Sequence, residues 1–252
     1  MISRVKEDLN EFRILIKNVP AYIPVILVVS LFSMNLLANK SIAVQSDWLA
    51  LDCGIIISWA VFLSMDILTR HFGPKAATQI SVFSAAVNLF FCIVMYVGSV
   101  IPGNWGEAYA ASDMNEVNTA LDATFGGTWY VLAGSTAAFI VSAFVNNFTN
   151  WGAGKLFFKN PDSTAAYFAR SYISTAIGQF TDNLVFAFLV SRVFFGWSVR
   201  QCIFCALTGM VAELLFEVVF SFFGLSVCRR WREERVGEEY FRYINEKRRH
   251  GI

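Results

Sequence analysis

The chain has 252 residues, of which 56% are hydrophobic and 15% are charged, and its formal net charge is +1. Soluble domains are about 45–50% apolar and about 25% charged, so this composition excludes an ordinary soluble domain. The apolar residues are gathered into runs of about twenty, the length that crosses a ~30 Å hydrocarbon layer as an α-helix. The composition therefore predicts an all-α, polytopic membrane protein.

Residues 1–19 predict an amphipathic helix. One face of this helix carries Ile2, Val5, Leu9, Phe12 and Ile16, with charged residues opposite. Such a helix can lie in the membrane interface or form a soluble cap over the cytoplasmic mouth of the protein, and the sequence leaves both open. The apolar span that follows is too long for the core of a signal peptide, so we expect no cleavage here.

Apolar runs between helix breakers predict six transmembrane helices inside residues 20–225. They cover residues 20–39, 52–70, 76–101, 127–149, 170–192 and 199–225. Gly73-Pro74 punctuates a short turn between the second and third spans, and residues 102–126 are predicted to form a long loop. Residues 226–252 alternate Arg with Glu and predict a cytoplasmic helix, whose basic bias suits a membrane flank and needs no nucleic acid partner.

The distribution of basic residues predicts the orientation of the spans. Seventeen of the 20 lysines and arginines fall on one side of the six-span layout, and only Lys40, Arg192 and Arg200 fall on the other. By the positive-inside rule, both termini are cytoplasmic.

Four acidic residues lie in the interior of the predicted spans: Asp66, Asp182, Glu213 and Glu217. A charged side chain at the centre of a span costs ~2.5–3.5 kcal/mol even on a lenient insertion scale. These acids are therefore expected to face an interior cavity, pair with a base or hold a proton. Glu213 and Glu217 are four residues apart and so share one face of the sixth span.

Amide side chains form stripes on other spans. They are Asn35 and Asn39 in span one, Asn146, Asn147 and Asn150 at the end of span four, and Gln179 and Asn183 beside Asp182 in span five. One intramembrane amide is often only a contact between helices, but stripes on several spans predict a polar cavity near the midplane. The pattern Asn-x-x-x-Asn ends both spans one and four, which suggests a 3+3 repeat with its halves inverted.

A cavity lined by carboxylates, amides and aromatic rings favours a planar ligand. Glu or Asp suits adjacent N–H donors, Asn and Gln can bind a carbonyl, and Trp59 or a phenylalanine can stack on the ring face. A guanine-like heterocycle fits this set, and a cation or a proton relay fits the carboxylates almost as well. No cofactor or metal is expected, because Cys202-x-x-Cys205 has neither a second pair nor a nearby histidine.

Three stretches resemble the queuosine-precursor transporter family, also called VUT. They are "MNLLANK" (34–40), "DCGIIISWAVFLSMDILTRHFGPKAA" (52–77) and "GQFTDNLVF" (178–186). The resemblance implies six spans in a bacterial cytoplasmic membrane and uptake of a 7-deazaguanine precursor of queuosine, such as 7-cyano-7-deazaguanine, which serves a modified tRNA base. It implies that Asn35, Asp66, Gln179 and Asp182 belong to the cavity or its support. The expected partners are this small molecule and the lipid bilayer. The sequence leaves open whether the chain also forms a homo-oligomer.

The chain departs from the family pattern beside Asp66. Arg70 stands where the family has Glu, Phe72 replaces Tyr, and Asn183 replaces a Ser or Thr. Because Arg70 lies four residues after Asp66, the two side chains are expected either to form a structural ion pair or to place Asp66 in the cavity.

Three other interpretations use the same residues differently. The chain contains no G-x-x-x-x-G-K-[ST] and so does not bind ATP by that motif, but it can be the binding subunit of an ATP-driven importer for another vitamin-like solute, docking through Gly134-x-x-x-Ala138. Paired carboxylates can also serve an intramembrane enzyme, although no catalytic set is visible and an enzyme is not expected. A scaffold without transport leaves the buried acids unexplained.

Overall fold

The computed structural model describes residues 2–44, 46–156 and 164–249. Within these ranges it does not describe the side chains of residues 2–5, 66, 143–144, 146–148, 150–156, 164–172, 174, 217–218 and 221–222. The helices are α1 (Ile2–Asn18), α2 (Tyr22–Leu37), α3 (Ile55–Phe72), α4 (Pro74–Val100), α5 (Gly106–Ala110), α6 (Met114–Leu156), α7 (Thr164–Phe186), α8 (Arg192–Phe195), α9 (Val199–Glu233) and α10 (Glu238–Arg249). A π-helical turn, Ala187–Ser191, joins α7 to α8.

A short hairpin is the only β-structure in the described ranges. Strand β1 (Ser41–Ile42) pairs antiparallel with β2 (Leu51–Asp52), so that Ser41 lies opposite Asp52. The Ser46 hydroxyl accepts hydrogen bonds from the backbone N–H groups of Trp48 and Leu49 at 3.3 and 3.2 Å, which orders the loop. The hairpin was not predicted, because two-residue strands leave no readable alternation.

The length and apolar character of several helices indicate a membrane protein. Over the described residues, three helical segments are long and apolar enough to cross a bilayer: Ile55–Phe72, Pro74–Val100 and Val199–Phe216. Lys6–Asn18 and Tyr22–Leu37 meet this condition only together, and a bend of 103° separates them. Each predicted span lies largely on a helix, but α6 and α7 carry many Gly, Ser, Thr, Asn and Gln residues, which lower their mean hydropathy.

The predicted loop at residues 102–126 is partly helical. The backbone N–H of Glu116 donates to Asp113 Oδ1 at 2.9 Å, so Asp113 caps the start of α6. Trp105 Nε1 donates to Asp122 Oδ1 at 2.7 Å, which ties the segment containing α5 to α6. The prediction of a loop is wrong here, because a polar helix has no apolar run and so has the sequence pattern of a loop.

The chain forms two compact units. The first consists of Met1–Phe32, Ile57–Asn88 and Glu217–Ile252, and the second of Ser33–Ile56 and Leu89–Phe216. Several helices contribute a segment to each unit, so the units do not follow one another along the chain.

In the first unit, α3 packs against the C-terminal part of α9. Trp59 stacks on Phe220 with ring centroids 4.3 Å apart and an interplanar angle of 12°. The thiol of Cys228 donates to the carbonyl of Ile67 at 3.7 Å. Residue numbers rise together along the two helices, so α3 and α9 run parallel where these contacts fix them.

The two terminal helices of the first unit meet at a buried carboxylate. Glu11, on α1, is 1% exposed. Its Oε2 accepts from Lys75 Nζ at 2.8 Å and from Lys247 Nζ at 3.2 Å. The inward face of α1 thus carries Glu11 and Leu15, whereas Leu9 is 62% exposed, as an interfacial helix would require.

Candidate functional site

The second unit places α7 and its π-helical turn between α6 and α9. The Tyr130 hydroxyl, on α6, donates to the carbonyl of Leu189 at 2.8 Å. From the other side, the Cys202 thiol, on α9, donates to the carbonyl of Ala187 at 3.7 Å. Both acceptors lie in the π-helical turn. Such turns leave carbonyl groups without their regular helical partners and are frequent at functional sites.

Close packing of α6 on the π-helical turn uses small residues. A Cβ at Gly134 would collide with a methyl group of Val190, and Ala138 is fully buried. The pair Gly134-x-x-x-Ala138 is therefore part of internal helix packing. The sequence had suggested it as a docking patch for an importer complex, and that interpretation was wrong.

Asp182 faces α6. Its Oδ1 accepts a hydrogen bond from the Ser142 hydroxyl at 3.0 Å, and the aspartate side chain is partly buried. A hydroxyl donor stabilises a carboxylate without neutralising its charge. The remaining carboxylate oxygen can therefore accept a donor from a ligand.

Asn183, the next residue, faces α9. Its Nδ2 donates to Oε2 of Glu213 at 3.1 Å, and Glu213 is 5% exposed. Gly209 lies one turn before Glu213, and a Cβ there would be 2.8 Å from Asn183 Nδ2. The glycine therefore makes room for the amide that holds the buried carboxylate.

Gln179 lies one turn before both of these residues. Residues three and four apart share one helical face, so Gln179 lies on the same face of α7 as Asp182 and Asn183. Asp182 points toward α6 and Asn183 toward α9, and Gln179 lies between them. Gln179 is 5% exposed, and its Oε1 has no hydrogen-bond partner among the described residues. The stripe predicted on α7 therefore consists of Asp182, which contacts α6, Asn183, which contacts α9, and Gln179, whose Oε1 has no partner among the described residues.

Asn39 closes the C-terminal end of α2. Its Nδ2 lies 3.3 Å from the carbonyl oxygen of Asn35 and 3.1 Å from that of Leu36, in the last turn of the helix. The Leu36 carbonyl also accepts the backbone N–H of Asn39 at 3.2 Å. The Nδ2 of Asn39 also lies 3.4 Å from Thr128 Oγ1 on α6. Asn39 therefore has a structural role that the sequence did not distinguish from ligand binding.

Asn35 lies one turn earlier and is used differently. It is 1% exposed, and neither its Nδ2 nor its Oδ1 has a hydrogen-bond partner in the described part of the chain. The adjacent residue, Met34, contacts the start of α3, where a Cβ at Gly54 would be 2.9 Å from the Met34 carbonyl oxygen.

Asp52 is a site candidate that the sequence analysis missed. Its Oδ1 accepts from the Gly54 N–H at 2.8 Å, and burial raises the pKa of its carboxyl to about 6. The only sequence signal was that Asp52 begins the quoted family stretch, and Ser142 and Thr128 gave no signal beyond being hydroxyl residues.

Several predicted site residues either belong to the first unit or have side chains that the structure does not describe. Trp59 and the exposed Arg70 belong to the first unit, and Trp59 already has Phe220 on one ring face. The side chains of Asp66, Glu217, Asn146, Asn147 and Asn150 lie outside the described part of the structure. The ion pair between Asp66 and Arg70 therefore stays a prediction.

The second unit thus contains carboxylates and amides on four elements: the end of α2, β2, α7 and α9. These side chains include both hydrogen-bond acceptors and donors. Within the described residues, no three His, Cys, Asp or Glu side chains are grouped closely enough to hold a metal ion.

Comparison with known proteins identifies one family. Residues 52–227 match the sequence profile of the VUT family, which is described as "Putative vitamin uptake transporter". No curated protein and no solved structure matches the chain. The matched region begins at Asp52 and includes the α6, α7 and α9 side of the site.

Proposed function

The chain belongs to this vitamin uptake transporter family, and from that premise we propose that it imports a 7-deazapurine precursor of queuosine, such as 7-cyano-7-deazaguanine. The family match covers residues 52–227. The transported molecule is our inference from the chemistry of the site and from the motifs at residues 34–40, 52–77 and 178–186.

One observation carries this proposal: Gln179 and Asn35 present unpartnered amide atoms in the unit that also holds Asp182 and Glu213. A deazaguanine carries an exocyclic amino group and a pyrrole N–H in addition to its lactam, and carboxylates can accept from both. Its carbonyl needs a donor, which an amide supplies. The buried polar groups thus match the edge of this heterocycle.

We assign roles to the predicted residues accordingly. Asp182 and Glu213 accept hydrogen bonds from the ligand or hold in place the residues that bind it. Gln179 and Asn183 line the same face of α7 as Asp182. Asn35 contacts the ligand from α2, and Asn39 holds the end of that helix. Trp59, Asp66, Arg70 and Glu217 belong to the first unit, and their roles, including the pairing of Arg70 with Asp66, stay predictions from the sequence.

The proposed membrane arrangement has six spans, both termini in the cytoplasm and a multi-pass location in the bacterial cytoplasmic membrane. Helices at all six predicted positions and the distribution of basic residues support it. Residues 1–19 and 226–252 form cytoplasmic or interfacial flanks of the domain 20–225, which we propose to be a 3+3 inverted repeat.

A cellular assay tests the transported molecule. The chain is expressed in a bacterium unable to make queuosine, low concentrations of 7-cyano-7-deazaguanine are supplied, and queuosine in tRNA is measured. We expect more queuosine than in cells with an empty vector. Equal amounts, with the protein demonstrated in the membrane, would exclude this transported molecule.

A further inference from the structure

The inference concerns Asn35, whose side chain is buried without a partner. It is 1% exposed, and both its amide nitrogen and its amide oxygen lack hydrogen bonds to any described residue. Buried polar groups in proteins are nearly always hydrogen-bonded. An amide that lacks both a donor and an acceptor contact is therefore an exception that needs an explanation.

Two other asparagines show how this chain uses a structural amide. Asn39 places its Nδ2 at 3.1 Å from the carbonyl oxygen of Leu36. Asn88, fully buried on α4, donates to the carbonyl of Ser84 at 2.9 Å. Both amide nitrogens lie against nearby backbone carbonyls, as Ser, Thr and Asn side chains commonly do, although the Oδ1 of Asn88 has no partner among the described residues. Asn35 makes neither kind of contact.

The cost of an unpaired amide explains why Asn35 points to a ligand. Leucine has the same number and branching of side-chain heavy atoms, and it would occupy a buried helical position without any unmet hydrogen bond. Asparagine at this position therefore weakens the unliganded protein. Residues that reduce stability in this way are typical of functional sites.

The chemistry of the amide defines the edge of the ligand. An asparagine presents an oxygen acceptor and an N–H donor side by side, and it pairs with a flat ligand whose edge offers a donor next to an acceptor. A lactam, in which a ring N–H adjoins a carbonyl, is such an edge. A carboxylate, by contrast, presents acceptors only.

We propose that Asn35 pairs in a bidentate manner with the lactam edge of a planar heterocycle and thereby selects it. This inference rests on the proposed function, because it concerns the same site, and it names the ligand edge that the site reads. Asn35→Asp should disrupt it, since the ionised variant keeps the acceptor and loses the donor.

The first test uses the unliganded protein. The full chain and Asn35→Leu are purified in detergent, and their melting temperatures are compared without ligand. We expect Asn35→Leu to melt at the same temperature as the wild type or higher. A lower melting temperature would show that the amide is structural and would overturn the inference. This readout does not depend on which molecule is transported.

The second test measures ligand-induced stabilisation. The wild type should be stabilised by 7-cyano-7-deazaguanine and bind its 6-methoxy analogue, which lacks the lactam N–H, at least roughly tenfold more weakly. Asn35→Leu and Asn35→Asp should lose at least roughly tenfold in affinity for the lactam, and the leucine variant should no longer distinguish the two compounds. Asn88→Leu is the control, and its ligand-induced shift should equal that of the wild type.

The outcomes separate this inference from the proposed transported molecule. A leucine variant that binds normally, or that still distinguishes the two compounds, would overturn the role of Asn35. A wild type stabilised by guanine or lumazine, both lactams, but not by 7-cyano-7-deazaguanine would overturn only the transported molecule, provided that Asn35→Leu loses that stabilisation. A wild type that binds none of these lactams would overturn both.

Discussion

Asn183 on α7 donates its amide hydrogen to the carboxylate of Glu213 on α9, with Nδ2 and Oε2 3.1 Å apart. Glu213 is 5% exposed, so this contact meets part of the hydrogen-bonding need of a buried carboxylate. The pair joins two helices through residues that are 30 positions apart in sequence. Its geometry depends on Gly209, which leaves space for the amide.

Replacing Gly209 should break this pair. A Cβ there would lie 2.8 Å from Nδ2 and 3.0 Å from Cγ of Asn183, so Gly209→Ala should displace the amide and lower the free energy of unfolding by about 1–3 kcal/mol. Denaturant unfolding in detergent measures this. Gly98→Ala is a matched control, since the Cβ that it adds would meet no atom within 4 Å and alanine favours a helix by ~0.5–1 kcal/mol. Equal behaviour of the two variants would refute the proposed packing.

Asp182→Asn should separate folding from transport. Asparagine keeps the size of the side chain and an oxygen that can accept from Ser142, so the variant should reach the membrane at wild-type levels. Loss of the charge should lower uptake of 7-cyano-7-deazaguanine by roughly tenfold or more. Ser142→Ala keeps the charge and removes one donor, so its loss should be smaller. Wild-type uptake by Asp182→Asn would remove this carboxylate from the site.

Asp52 should make stability depend on pH. Burial raises its pKa to about 6 in the folded protein, above the ordinary value of 3.8. Between these two values the folded state binds more protons than the unfolded state, so stability falls as pH rises. The total loss is at most about 3 kcal/mol at ~1.36 kcal/mol per pKa unit.

The matched variant for this effect is Asp52→Asn, which keeps an acceptor for the Gly54 N–H and cannot ionise. The difference in melting temperature between the variant and the wild type should grow from pH 4 to pH 7, with the variant the more stable at pH 7. A constant difference over this range would contradict the assigned burial of Asp52.

The contact between the terminal helices should depend on Glu11. Its carboxylate is bound by Lys75 at 2.8 Å and by Lys247 at 3.2 Å, so Glu11→Ala leaves two ammonium groups without this partner. We expect faster hydrogen exchange in α1 and α10, with a local loss of about 1–3 kcal/mol. Glu7 is 4.0 Å from Lys247 and 40% exposed at its side chain, so Glu7→Ala should have little effect. Similar exchange in both variants would argue against the buried contact.

Helix positions were largely predictable from sequence because apolar runs and breakers act locally. Gly73, with φ 92°, separates α3, which ends at Phe72, from α4, which begins at Pro74. The 102–126 segment was predicted wrongly because a capped polar helix such as the start of α6 has no apolar run. The π-helical turn at Ala187–Ser191 has no sequence signature in hydrophobic periodicity or in helix breakers.

The site was predictable in residue types but not in roles. Asn35 and Asn39 belong to one stripe, yet Asn39 lies against the last carbonyls of α2 and Asn35 is unpaired. That difference depends on where the helix ends, which sequence locates only approximately. The contacts of Asp182 with Ser142 and of Asn183 with Glu213 depend on the packing of three helices, so no local pattern reveals them.

Uptake by the purified chain alone tests the central claim most directly. The protein is reconstituted into liposomes without any partner or ATP, and entry of radiolabelled 7-cyano-7-deazaguanine is measured beside Asp182→Asn and protein-free liposomes. We predict that the wild type accumulates label above both controls. Wild-type liposomes that take up no more label than protein-free liposomes would contradict a self-sufficient transporter of this molecule.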